Sequence, residues 1–137
     1  MPIQVLLVED SRAMRNYVAS ILEGQGSFEV DQVANGFDAL RALPRNPYGL
    51  IVTDVNMPDV NGIELSRFVR RTPRHVDTPL IVISTDGSEV DRERALGAGA
   101  SAFLPKPFEP EELLAIVKEV LEKAGLSMDD APAEGDA

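Results

Sequence analysis

The 137-residue sequence contains no cysteine and no tryptophan, a single histidine, and 13 basic against 23 acidic side chains. The missing cysteines exclude a disulfide framework, a thiolate metal site and a cysteine nucleophile together. They also fit a reducing compartment, so a cytoplasmic location is expected. No apolar stretch approaches the roughly 20 residues that a membrane span needs. Met1-Pro2-Ile3 leads into the first apolar run without a basic and apolar leader, so neither membrane anchorage nor export is expected. The net charge of −10 opposes nucleic-acid binding, whose affinity comes from Lys and Arg displacing counterions from the polyanion, and no nucleic-acid partner is expected. The length suits one domain, so the whole function has to fit on one module.

Against these absences stand four short apolar runs, each ending on polar or constrained residues. Val5-Leu6-Leu7-Val8 runs into Glu9-Asp10, Leu50-Ile51-Val52-Thr53 into Asp54, Leu80-Ile81-Val82-Ile83 into Ser84, and Ala102-Phe103-Leu104 into Pro105-Lys106-Pro107. Runs without polar interruption are those of strands covered on both faces. Phe28 to Val33 alternates instead, which reads as a half-exposed edge strand. Between the runs, helical spacing recurs. Met14, Tyr17, Val18, Ile21 and Leu22 form one stripe, closing near Gly24 and Gly26. Phe37, Leu40 and Leu43 form a second, Ile63, Leu65, Phe68 and Val69 a third, and Leu113, Ile116, Val117, Val120 and Leu121 a last one. Val90 to Ala98 is a weaker, alanine-rich helix. Pro110 suits the start of the last helix and Gly125 its stop.

Five strand-then-helix units with short links predict an α/β fold, a doubly wound five-stranded parallel sheet with helices on both faces. The carboxyl ends of parallel strands share one edge, where open α/β sheets bind ligands. Three carboxylates, a hydroxyl and an ammonium would then converge there, a set that suits one divalent cation and one phosphoryl group. The domain is expected over residues 1–125. Residues 126–137 carry Asp129, Asp130, Glu134 and Asp136 among Ala, Pro and Gly, and are expected to be a disordered acidic tail.

The segments Val8-Glu9-Asp10-Ser11, Val52-Thr53-Asp54-Val55-Asn56-Met57-Pro58, Asn61-Gly62, Ile83-Ser84 and Leu104-Pro105-Lys106-Pro107-Phe108 resemble, in order and interval, the receiver domain of two-component response regulators. The match covers about residues 3 to 124. The resemblance implies the flavodoxin-like (CheY-like) strand order 2-1-3-4-5. It implies Asp54 as acceptor of a phosphoryl group from a histidine kinase, since an acyl phosphate forms and breaks readily. It implies Mg²⁺ held by Asp10 and Asp54, by the Asn56 backbone carbonyl, and by Glu9 through water. Lys106 would neutralise phosphate charge and Ser84 would hydrogen-bond the phosphoryl oxygen. Phe103 matches the family's aromatic switch position, with core packing the competing reading. A cis Lys106-Pro107 bond is common in the family.

The resemblance further implies a protein target at the face of the fourth helix, fifth strand and fifth helix, a monomer or weak dimer, and a role that in free-standing members is often chemotaxis or motility. Such a chain is a phosphoacceptor with self-catalysed transfer and autodephosphorylation rather than a turnover enzyme. Thr85 stands where many members carry Ala or Gly and would narrow access of the phosphodonor, while Asn56 and Asp86 occupy places that tune water access. For Asp10 an N-cap of the first helix is an alternative or additional role. His75, between Pro73 and Pro79, is read as an exposed loop residue. Competing readings are an aspartate-nucleophile phosphatase, which lacks its second acid at Asn56, and a flavin module, which an acidic first loop disfavours. A further one is a phosphorylation-independent docking module or receiver fragment of a longer regulator or hybrid kinase.

Overall fold

The computed structural model describes residues 2–85 and 87–126; Asp86 and the acidic residues Asp129, Asp130, Glu134 and Asp136 lie outside the described residues. Along the chain come β1 (Ile3–Val8), α1 (Arg12–Glu23), β2 (Phe28–Val33), α2 (Gly36–Ala42), β3 (Leu50–Asp54), α3 (Gly62–Arg71), β4 (Leu80–Ser84), α4 (Glu89–Gly97), β5 (Ala102–Pro105) and α5 (Pro110–Lys123). Two 3₁₀ turns, Leu43–Arg45 and Pro73–His75, follow α2 and α3. The five strands pair in parallel in the order β2-β1-β3-β4-β5, the expected doubly wound arrangement.

Strand side chains alternate between two cores. Leu6, Val8, Ile51, Leu80, Val82 and Phe103 pack beneath α2, α3 and α4. Val5, Leu7, Leu50, Val52, Ile81 and Ile83 pack beneath α1 and α5. Every residue of β3 and β4 is buried, while β2 exposes alternate positions at the sheet edge, as the continuous and the alternating runs predicted. The parallel register pairs Val8 with Thr53, Asp54 with Ile83, and Ser84 with Pro105. The polar residues that end the strands therefore lie side by side along one edge.

The helices start on recognisable caps. Ser11, not Asp10, is the N-cap of α1, its hydroxyl accepting from the Met14 N–H at 3.3 Å, which leaves the Asp10 carboxylate outside the helix. Asn61 and Glu64 form a reciprocal capping box on α3, as Glu109 and Glu112 do on α5, where Pro110 takes the first helical position. Gly125, at φ +81°, follows the end of α5. Helix α4 buries only Ala95 and is held at its start by the Ser88 hydroxyl.

Three expectations are corrected. Phe37 was placed inward and is 50% exposed. Helix α2 buries its small residues Gly36 and Ala39, with Gly36 pressed against Val60 of the loop before α3, and Phe37 lies on the exposed side. Phe68 is 36% exposed because α3 turns Gly62, Ile63, Leu65, Ser66 and Val69 to the interior and leaves Phe68 on its flank. His75 is fully buried rather than exposed. The 3₁₀ turn folds its ring against Tyr48, with centroids 5.9 Å apart, and Nε2 accepts the Tyr48 N–H at 3.2 Å.

Candidate functional site

At the carboxyl edge of the sheet the expected residues come together. The Glu9, Asp10 and Asp54 carboxylates offer oxygens that all lie within 4.8 Å of one another. Glu9 and Asp54 are buried and Asp10 is exposed, so the cluster has a closed floor and one side open to solvent. The Lys106 ammonium reaches across from the end of β5, 3.1 Å from Glu9 Oε1 and 3.3 Å from Asp54 Oδ1. It is only 11% exposed, and the Lys106-Pro107 bond that follows it is cis. Asp54 Oδ1 is buried and has no hydrogen-bond partner; the ammonium neutralises it as an ion pair while donating to Glu9.

Burial sets the protonation tendencies. Desolvation pushes the Asp54 carboxyl above the ordinary carboxylate range, with the Lys106 charge pulling the other way and Asp10 adding to the rise. Desolvation also raises Glu9, opposed by the Ser11 N–H and by Lys106. A buried acid pair with one cation for three carboxylates is under-neutralised. The orphaned Asp54 oxygen and the all-oxygen donor set therefore fit a hard divalent cation such as Mg²⁺, which takes one or two carboxylates, keeps waters and accepts phosphate oxygens.

Around this centre, Ser84 is fully buried and its hydroxyl lies 3.4 Å from Asp91 Oδ2 on α4, while its carbonyl accepts the Lys106 N–H at 2.7 Å. The exposed Asn56 side chain donates to Thr85 Oγ1 at 3.1 Å, tying the loop after β3 to the loop after β4. Phe103 is buried. It also lines an open depression of about 360 Å³ between α4, β5 and α5, with Arg92, Leu96, Ile116 and Lys123. Larger depressions, of about 380 and 410 Å³, open at the opposite end of the sheet, around Tyr48, Arg74 and Leu126 and around Asp77 and Lys123; none of the expected site residues lines them.

One contributor named in the sequence only as part of a motif gains a physical role, and a second, Arg15, went unread. Gly62 begins α3 against the Asp54 backbone, where a side chain would overlap the Asp54 carbonyl oxygen. Arg15 Nη1 donates to the Glu9 carbonyl at 2.8 Å and lies 3.4 Å from that of Asp10. Helical side chains lean toward the N-terminus, so a long cation one turn into α1 reaches back to the strand end, a signal present in the spacing.

Residues 5–118 match the model of the response regulator receiver domain. The chain belongs to the response regulator receiver family. It is 36% identical over 128 residues to response regulator Rre1 of Synechocystis sp., covering 93% of this chain and 55% of that protein. It is also 36% identical over 132 residues to response regulator MprA of Mycobacterium sp., covering 96% and 55%. The chain thus spans about half the length of these curated relatives. Among solved structures, the chemotaxis response regulator CheY4 of Vibrio cholerae superposes with a TM-score of 0.83 at 33% identity, covering 88% of this chain and all of that one. The receiver domain of the sensor histidine kinase PA1611 of Pseudomonas aeruginosa, with a magnesium ion coordinated in its active-site cleft, superposes at 0.79 with 30% identity, covering 87% and 97%. Receiver domains are phosphoacceptors that histidine kinases phosphorylate and that bind protein targets. Receiver domains bind Mg²⁺ at the acidic site, and here the Glu9, Asp10 and Asp54 cluster is present. Among the described residues no helix is long and apolar enough to cross a membrane.

Proposed function

We propose that this chain is a single-domain response regulator whose receiver unit, residues 1–125, accepts a phosphoryl group on Asp54 from a histidine kinase and thereby switches binding to a protein target. The observation that carries this is the Asp54 carboxylate, buried at the end of β3 with one oxygen lacking a hydrogen bond and Lys106 3.3 Å away. In the transfer, an ionised Asp54 oxygen attacks the phosphorus of the phosphohistidine. The P–N bond breaks, its electron pair leaves with the imidazole, and an acyl phosphate remains on Asp54. Lys106 offsets part of the added charge and opposes the desolvation that raises the Asp54 pKa. The residues that would hold Mg²⁺ are Asp10, Asp54 and Asn56 directly and Glu9 through water, the ion supplying charge neutralisation at the phosphoryl oxygens.

The Ser84 hydroxyl would turn from Asp91 to a phosphoryl oxygen, and α4 would follow. Holding only Ala95 in the core, α4 has little packing to resist the move. Phe103 then couples the change to the α4–β5–α5 face, where Val90 (62%) and Leu96 (39%) are exposed and where the target would dock. The likeness to the chemotaxis response regulator CheY4 supports a role in chemotaxis or motility. The 55% coverage of Rre1 and MprA favours a second reading, the receiver portion of a longer regulator.

Intact mass after exposure to Mg²⁺ and acetyl phosphate tests the assignment. One phosphate adduct is expected, lost in Asp54→Asn and in EDTA. An adduct that survives in Asp54→Asn would overturn it.

A further inference from the structure

We propose that Arg15 is a positioning residue for the magnesium site, acting through the backbone of the two acidic residues that follow β1; the inference rests on the reading of that site given above. Its Nη1 donates to the carbonyl of Glu9 at 2.8 Å and lies 3.4 Å from that of Asp10. The Glu9 side chain is already fixed by the Ser11 N–H at 3.0 Å and by Lys106 at 3.1 Å, and its own N–H by the Val33 carbonyl at 3.1 Å. Asp10 differs. It is exposed and lies outside helix α1, whose cap is Ser11, so the direction of its carboxylate depends on how its backbone is held. Arg15 thus spans the two peptide units on either side of the Asp10 Cα.

The cation stands where simple electrostatics would not put one. It lies in the first turn of α1, where the helix macrodipole disfavours positive charge, and beside a cluster that is to receive a divalent cation. Charge alone would make Arg15 an opponent of metal binding. Its grip on the carbonyls makes it a supporter, by preorganising the direct ligand Asp10. The two effects have opposite signs, so removing the side chain discriminates between them.

Magnesium binding to the full chain by isothermal titration calorimetry is the test, with unfolding in EDTA as the check on fold. If Arg15 positions the site, Arg15→Met weakens the Mg²⁺ dissociation constant by about tenfold, and Arg15→Lys, which keeps a charged donor, recovers at least half of that loss on a logarithmic scale. The acetyl phosphate reaction of Arg15→Met then returns to the unsubstituted rate at saturating Mg²⁺, which a general structural defect would not allow. Should Arg15→Met lose cooperative unfolding, Arg15→Gln carries the same comparison. Unchanged or tighter Mg²⁺ binding in the uncharged variant overturns the inference alone. Absence of Mg²⁺ binding by the unsubstituted chain overturns the site reading and this inference with it.

Discussion

Substituting Gly62 by alanine tests how closely the phosphoacceptor is held. Gly62 opens α3 with its N–H donating to the Val55 carbonyl at 3.0 Å. A methyl group there would overlap the Asp54 carbonyl oxygen, lie 2.9 Å from the Asp54 carbonyl carbon and 3.0 Å from Val55 Cα. All three obstacles are backbone, so no side chain can swing aside, and relief requires the end of β3 and the start of α3 to separate by about 1 Å. Overpacking of this kind costs about 1–3 kcal/mol, against a helix-propensity gain from Gly to Ala of at most about 1 kcal/mol. A net loss of about 1–2 kcal/mol in urea unfolding is expected. A 1 Å displacement of a reacting group is also enough to slow chemistry by about a hundredfold, so the acetyl phosphate reaction followed by intact mass should slow far more than the stability loss alone would explain. Gly97→Ala is the matched control. Its added carbon meets nothing within 4 Å and its φ is not positive, so it should leave the rate unchanged and raise stability by a few tenths of a kcal/mol. A Gly62→Ala chain with the midpoint and rate of the Gly97→Ala chain would refute the close-approach argument.

Arg70 links the Gly99 carbonyl at 2.8 Å, the Thr78 carbonyl at 2.7 Å and the Ser101 hydroxyl at 3.4 Å; Arg70→Met should lower unfolding stability by about 3 kcal/mol, and a change under 1 kcal/mol in urea melts would show the brace to be dispensable. Burial, reinforced by the charge of Arg74, lowers the pKa of His75, so the unfolded chain binds its proton more readily. Stability should therefore be complete above the ordinary histidine value near 6.5 and fall as pH drops below it; in His75→Leu this part of the pH dependence should vanish, and an unchanged slope between pH 6.5 and 5 would contradict the assignment. Lys106→Met leaves the buried Glu9 and Asp54 carboxylates without their cation; Mg²⁺-free stability at neutral pH should drop by about 3 kcal/mol and phosphate incorporation should fall sharply, whereas a chain modified at the original rate would remove Lys106 from the site.

What was legible in the sequence is what repeats or ends abruptly. The uninterrupted runs in β3 and β4 carry their burial in their composition, and the polar residues that stop them needed only the parallel topology to become neighbours. Asp54, Ser84 and Lys106, far apart in sequence, followed from that rule. The sequence was silent where a contact depends on a helix's rotation or a turn's path. Phe37 belongs to an inward stripe by spacing, yet α2 buries Gly36 against Val60 and Ala39 in the core, and Phe37 falls on the other side. His75 looked exposed because two prolines flank its segment; the 3₁₀ turn that Pro73 begins curls the ring inward instead. Arg15 went unread, and Gly62 was read only as part of a motif, for a related reason: both act on backbone atoms, so neither role shows in side-chain chemistry.

The two ends of the sheet differ in how their polar groups are partnered. At the amino end most polar side chains are bonded, but the buried His75 Nδ1 has no hydrogen-bond partner. The Tyr48 hydroxyl donates to Asp31 at 2.8 Å and accepts from Asn46 at 3.2 Å, and the Arg70 guanidinium is taken up by backbone carbonyls. At the carboxyl end the Glu9 and Asp54 carboxylates of the three-acid cluster share the Lys106 ammonium, and an Asp54 oxygen is left without a hydrogen bond. Burying charge short of partners costs stability, and at the carboxyl edge the two buried carboxylates outnumber the one ammonium paired with them. An edge that is short of positive charge and open on the Asp10 side is stabilised by whatever supplies that charge, so magnesium should raise the unfolding midpoint of the chain and do so less in Asp10→Asn. A midpoint indifferent to magnesium in both chains would mean that the carboxylates are already satisfied by Lys106 alone.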